Sequence, residues 1–185
     1  MTKIAIILGS TRPGRIGEQV AKWVLENAKK RSDAEFELVD VADYDLPLLD
    51  EPMPPGYRQY TKDHTFRWSE KIEEFDGFIM VTAEYNHGIP GALKNAIDYL
   101  FEEWNHKAVG FVSYGSAMGV RSVEHLRLVS AELMMADVRQ QVMLSLFTDF
   151  EDMSKFKPQD YHLESLNSLF DQVIAWSNAL KVLRK

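Results

Sequence analysis

With 185 residues the chain is long enough to bury a full core within one domain, and 45% hydrophobic against 26% charged residues excludes disorder and fibrous repeats. The absence of cysteine removes disulfides, thiol nucleophiles and thiolate-held zinc or iron–sulfur clusters, and no metal is expected. A formal charge of −7 argues against nucleic-acid or anionic-membrane binding in general, so a basic cluster stands out wherever one occurs.

The chain opens on an apolar run at residues 4–8, too short for a secretory signal or a membrane span, and it reads as a buried first strand. With the lack of cysteine, this suits a cytoplasmic protein without membrane insertion. The next segment is Gly9-Ser10-Thr11-Arg12-Pro13-Gly14-Arg15-Ile16-Gly17. A helix follows it, because Ile16, Val20, Trp23, Val24 and Ala28 share one face while Glu18, Lys22, Glu26 and Lys29 fall on others. A loop at a helix start offers unpaired backbone N–H groups and partial positive charge, to which Ser10 and Thr11 add hydroxyls and Arg12 and Arg15 add forked cationic donors. No GK[ST] ending and no GxGxxG pattern is present, so neither a nucleoside-triphosphate loop nor a dinucleotide fingerprint fits. A terminal monophosphate does. The bland alternative is a solvated turn with incidental arginines.

A second strand is expected at residues 36–41. From 43 to 60 the prolines at 47, 52, 54 and 55 mark a long irregular loop, either functional or packed on a partner subunit, and a helix follows over 60–75. The third strand, 78–82, runs into Thr82-Ala83-Glu84-Tyr85-Asn86-His87-Gly88-Ile89-Pro90-Gly91. Tyr85 supplies an aromatic face and Asn86 an amide that both donates and accepts, a set suited to a flat polar ring. His87 has no partner base legible in the sequence and is read as a cofactor-loop residue rather than a general acid. Pro90 sits at the start of the next helix, where its missing N–H costs nothing. That helix ends near Tyr99, Phe101 and Trp104, which read equally as core or as a wall shared with a partner. The fourth strand, 109–113, gives way to Ser113-Tyr114-Gly115-Ser116-Ala117-Met118-Gly119 and a helix through Val120, Leu126 and Leu133. A fifth strand at 138–144 and a last helix over 163–183 complete the chain. Alternating strands and helices imply one α/β domain over residues 1–185. In a parallel sheet ordered 2-1-3-4-5, the three loops meet at one crevice beyond the strand ends.

Taken together, GSTRPGRIG, AEYNHGIPGALKNAIDYL and SYGSAMGVRSVEHLR resemble the three signature segments of the NADPH-dependent FMN reductase family, which includes quinone, chromate and azo-dye reductases. The resemblance covers nearly the whole chain and rests on Gly9, Ser10 and Arg12 and on the run from Glu84 through Asp98. It implies a flavodoxin-like three-layer sandwich, a five-stranded parallel sheet of order 2-1-3-4-5 with helices on both faces, and bound FMN. Ser10, Arg12 and the backbone through Ile16 and Gly17, helped by Arg15, would hold the FMN phosphate. Ala83, Glu84, Tyr85, Asn86 and His87, with Ser113, Tyr114, Gly115 and Ser116, would form the isoalloxazine side. The implied activity is ping-pong hydride transfer through FMN from NADPH or NADH to quinones, azo compounds, flavins or metal oxyanions, in a homodimer or homotetramer. No side-chain acid or base is required. Two rival functions share the fold: an electron-transfer protein like flavodoxin, and a flavin-free regulatory or binding domain. Ala83 stands where many members have proline, and Met118 where many have the first of two glycines.

Overall fold

The structure, a computed structural model, describes residues 1–184. Five parallel strands form the central sheet: β1 (Thr2–Leu8), β2 (Ala34–Asp40), β3 (Gly77–Ala83), β4 (Ala108–Gly115) and β5 (Ala136–Ser145). Their order is β2-β1-β3-β4-β5, the order that the family resemblance implies. Helices α1 (Gly17–Ala28) and α5 (His162–Leu180) cover one face, and α2 (Asp63–Glu73), α3 (Gly91–Asp98) and α4 (Val120–Glu132) cover the other. The fold is the flavodoxin-like three-layer sandwich.

The two-sided cover explains why the central strands read as unbroken apolar runs. Ile4, Ile6 and Leu8 of β1 pack toward α1 and α5, while Ala5 and Ile7 pack toward α2 and α3. β2 lies at an edge, and its exposed Glu35 and Glu37 discourage pairing with another sheet. Strand boundaries run a residue or two beyond the predicted ones. The second strand stops at Asp40, because the Asp40 carboxylate accepts from the Ala42 N–H and turns residues 41–44 into a short 3-10 helix. The helix expected at 60–75 is confined to Asp63–Glu73, since the preceding Pro-rich loop continues to Lys62. A small antiparallel ribbon between β5 and α5, formed by β6 (Phe150–Glu151) and β7 (Lys155–Phe156), has no counterpart in the sequence reading.

The aromatic group after α3 does not flank the crevice. α3 runs back from the C-terminal edge of the sheet, so Trp104 lies at the opposite end, buried between Phe78 and Trp68, with its indole N–H on the Ile97 carbonyl at 3.1 Å. Tyr99 is buried too, and its hydroxyl donates to the Pro47 carbonyl at 3.1 Å and to Asp50 at 2.9 Å. Both are core residues, and neither offers a surface to a partner.

Candidate functional site

All five strands end at one edge, and α1, α3 and α4 begin there, so their N-termini point into a common crevice. α1 and α3 start without a side-chain cap. Among the described residues, the N–H groups of Ile16, Gly17 and Glu18 find no protein acceptor. α4 is different: the Glu84 carboxylate accepts from the Arg121 backbone N–H at 3.1 Å and from its guanidinium Nε at 2.5 Å. Negative charge at a helix N-terminus is stabilising, so Glu84 caps α4 and ties the loop after β3 to the loop after β4.

The first loop carries two arginines in opposite circumstances. Arg12 is exposed, its guanidinium sits 5.9 Å above the Tyr85 ring, and it makes no side-chain hydrogen bond among the described residues. Arg15 has all five N–H donors committed. Nε donates to Glu18 at 3.1 Å; Nη1 donates to the Ser10 carbonyl at 2.5 Å and to Asp40 at 2.9 Å; Nη2 donates to Glu18 at 3.0 Å and again to Asp40. Burial opposes its charge, but the bonds to Asp40 and Glu18 outweigh burial and hold the guanidinium above its ordinary pKa. The parallel register sets Leu8 opposite Asp40, which brings that carboxylate beside the loop.

Ser10 is buried, and its hydroxyl shares a 2.7 Å hydrogen bond with the Tyr85 hydroxyl. Gly17 is required by a neighbour: a Cβ there would lie 2.3 Å from the Tyr114 hydroxyl. Tyr114 is itself buried, and burial followed by the proximity of Tyr85 raises its pKa above the usual phenol range.

In the second loop, Tyr85 and Gly88 exchange backbone hydrogen bonds of 3.2 and 3.1 Å around Asn86 (φ 49°) and His87 (φ 72°). Two consecutive positive φ values define a type I′ turn, which favours Asn at its first position and glycine rather than histidine at its second. Asn86 and His87 are exposed at its tip. The third loop turns on Met118 (φ 56°) and Gly119 (φ 70°), where a Cβ at Gly119 would lie 2.9 Å from the Tyr114 backbone nitrogen. Met118, the residue at the family's glycine position, therefore adopts a left-handed backbone. Ser113 faces inward: its hydroxyl donates to the Met118 carbonyl at 2.7 Å and accepts from Gln141 at 3.1 Å. It braces the loop from behind, whereas Ser116 is exposed.

These loops enclose a cavity of about 240 Å³ lined by Arg12, Ile16, Ala83, Glu84, Tyr85, Tyr114, Gly115 and Leu146. A second cavity, about 420 Å³, lies on the other side of the first loop against Thr11, Val41, Ala42, Asp45, Leu46, Pro47 and Ala92. Three contributors are absent from the sequence reading: Leu146, Arg121 and Asp40. The adjacency of the fourth and fifth strands could have indicated Leu146, and that of the first and second strands Asp40. Leu146 is held by the Gly115 carbonyl, which accepts from the Leu146 N–H at 3.1 Å and from the Met118 N–H at 3.0 Å. The region thus combines a free cation, free N–H groups at a helix start, and an aromatic-lined recess, a donor set that fits a phosphorylated flat ring. Among the described residues no helix is long and apolar enough to cross a membrane.

Residues 2–149 match the sequence profile described as NADPH-dependent FMN reductase. An NAD(P)H-dependent FMN reductase of Nectria sp is 45% identical over 141 residues, covering 73% of this chain and 70% of that protein. A quinone reductase of Escherichia coli strain K12 is 30% identical over 135 residues, covering 69% and 68% of the two chains. Among solved structures, a flavoenzyme NAD(P)H:(acceptor) oxidoreductase from Paracoccus denitrificans superposes with a TM-score of 0.73 at 18% identity, covering 97% of this chain and 98% of its own, a likeness of fold.

Proposed function

The chain belongs to the NADPH-dependent FMN reductase family, and from that premise we propose how its residues divide the work of an NAD(P)H-dependent flavin oxidoreductase. Bound FMN supplies the hydride chemistry between NAD(P)H and an oxidised acceptor, and the protein supplies binding, orientation and electrostatics. The observation that carries the assignment is the unengaged Arg12 guanidinium beside the uncapped start of α1. Arg12 and the N–H groups of Ile16 and Gly17 hold the phosphate, and Ser10 supports them through Tyr85. Arg15 is not among the phosphate ligands, because its donors are filled.

The backbone of Ala83 through His87 and of Tyr114 through Ser116 would hold the ring. The Glu84–Arg121 clamp and the buried Ser113 hydroxyl fix the spacing of these two loops. Leu146 and Tyr85 exclude water from one side of the recess. The whole chain acts as one flavin domain in the cytoplasm, as a homodimer or homotetramer. Its acceptors are flat, electron-poor compounds such as quinones, which an open recess beside the strand ends admits; azo compounds, flavins and metal oxyanions are further candidates.

The test is anaerobic: the purified yellow protein loses its visible flavin absorption on addition of NADPH or NADH and regains it with a quinone. A flavin that stays oxidised with both nucleotides would overturn the reductase reading in favour of electron transfer between proteins. A colourless protein that does not take up FMN would overturn the cofactor reading and favour the binding-domain alternative.

A further inference from the structure

Two arginines three residues apart in one loop present the same chemistry to a phosphate, yet the structure treats them oppositely. Arg15 commits all five donors to four acceptor atoms, and a guanidinium in that state cannot add a phosphate bond without breaking a protein one. Its partners connect three pieces of the site. The Ser10 carbonyl belongs to the first loop, whose hydroxyl meets Tyr85 of the second loop at 2.7 Å. Glu18 belongs to the first turn of α1. Asp40 ends β2 and, through the Ala42 N–H at 2.9 Å, shapes the turn that walls the larger cavity beside the loop.

We infer that Arg15 is a positioning residue: it holds the first loop in its binding shape and masks the Asp40 carboxylate, while selection of a phosphorylated flavin falls to Arg12. The inference rests on the proposed phosphate seat and deepens it. A lysine cannot replace Arg15, because a single ammonium lacks the planar fork that reaches two carboxylates and a carbonyl together. Removing Arg15 alone exposes Asp40 and Glu18 to the phosphate, so a clean test must conserve charge. The double variant Arg15→Gln with Asp40→Asn does so, and leaves no lone carboxylate at position 40.

The experiment titrates flavin-stripped, full-length protein with FMN and with riboflavin, following quenching of flavin fluorescence. In the double variant both affinities are expected to fall together, on the order of tenfold, as for loss of a supporting contact behind a ligand group. In Arg12→Gln, FMN affinity relative to riboflavin affinity falls roughly 10- to 100-fold, the range for one charge-assisted hydrogen bond. A double variant that loses FMN affinity but keeps riboflavin affinity makes Arg15 a phosphate ligand and overturns the inference. A double variant that keeps both affinities makes the Arg15 network merely structural and overturns it too. Should the double variant not fold, Arg15→Lys, which also conserves charge, carries the same comparison of the two flavins. An Arg12→Gln variant with an unchanged FMN-to-riboflavin ratio would instead overturn the phosphate seat itself, so the two failures are distinguishable.

Discussion

At the N-terminal end of the strands, Arg58, Glu103, Lys107 and Arg184 line a cavity of about 530 Å³, more than twice the roughly 240 Å³ beside Tyr85 at the opposite end. Volume alone would place the ligand there. The chemistry does not, because the charged groups lining that cavity already have partners. Glu103 accepts from the Tyr60 hydroxyl at 2.9 and 3.1 Å and from Ser69 at 2.5 Å. Lys107 donates to the Ile72 carbonyl at 2.9 Å, near the C-terminal end of α2, where a cation is favoured. Arg184 pairs with Asp76 at 2.6 Å and the His106 carbonyl at 2.7 Å. Positive backbone angles do not separate the two ends, since Arg58 (φ 49°) and His106 (φ 57°) have them as well. Unfilled hydrogen-bonding capacity does. A site of action is marked by donors left over after folding, and the first loop has them in Arg12 and the start of α1.

Substitutions sharpen this contrast between an end that stabilises and an end that binds. The largest effect is expected at Glu103, whose side chain is fully buried: Glu103→Ala removes the shared acceptor of Tyr60 and Ser69 and should cost about 3–5 kcal/mol in denaturant unfolding. The flavin affinity of the folded fraction should stay constant, and a parallel loss of affinity would break the comparison. Lys107 comes next. Burial, with Arg184 nearby, lowers its pKa to about 8, below the value of an unfolded lysine near 10.4. The unfolded chain therefore binds more protons in this window, and stability rises with pH between about 8 and 10.4, by roughly 3 kcal/mol. Unfolding of the parent and of Lys107→Met across that range checks it; the methionine variant should lack this increment.

At the binding end, Gly17→Ala drives a Cβ into the Tyr114 hydroxyl and should cost about 1–3 kcal/mol, with weakened flavin binding because Tyr114 walls the recess. Tyr114→Phe in the same chain should recover part of both losses, and failure of that rescue would assign the strain elsewhere. The smallest expected effect is a gain. Met118→Gly relieves a left-handed backbone and should raise stability by up to about 1 kcal/mol, with FMN affinity unchanged.

Much of this is readable in the amino-acid sequence alone. Apolar runs such as Ile4–Leu8 locate the strands because both faces of the sheet are covered, and the three loop motifs fall at one edge once the strand order is known. The state of each side chain is less legible. Arg12 and Arg15 look alike in sequence, and only the lateral neighbour of the loop, Asp40 at the end of β2, separates them. Glu18, three residues beyond Arg15 in the first turn of α1, is the one local hint. Trp104 is ambiguous in sequence because an aromatic after a helix reads as core or interface until the helix direction is fixed. The β6–β7 ribbon left no pattern because its strands are two residues long and are held from outside, by the Gln19 side chain on Phe156 and Ser154.

One buried carboxylate links that ribbon to the recess. Asp149 accepts from the N–H groups of Ser145 and Gln159, the Thr148 hydroxyl and the His162 ring, and so gathers both ends of the segment that carries Leu146. Contacts that converge on a single acceptor are made and lost together. Amide hydrogens across this segment should therefore exchange as one block, and the wall of the recess should open by cooperative local unfolding rather than by the swing of a single side chain.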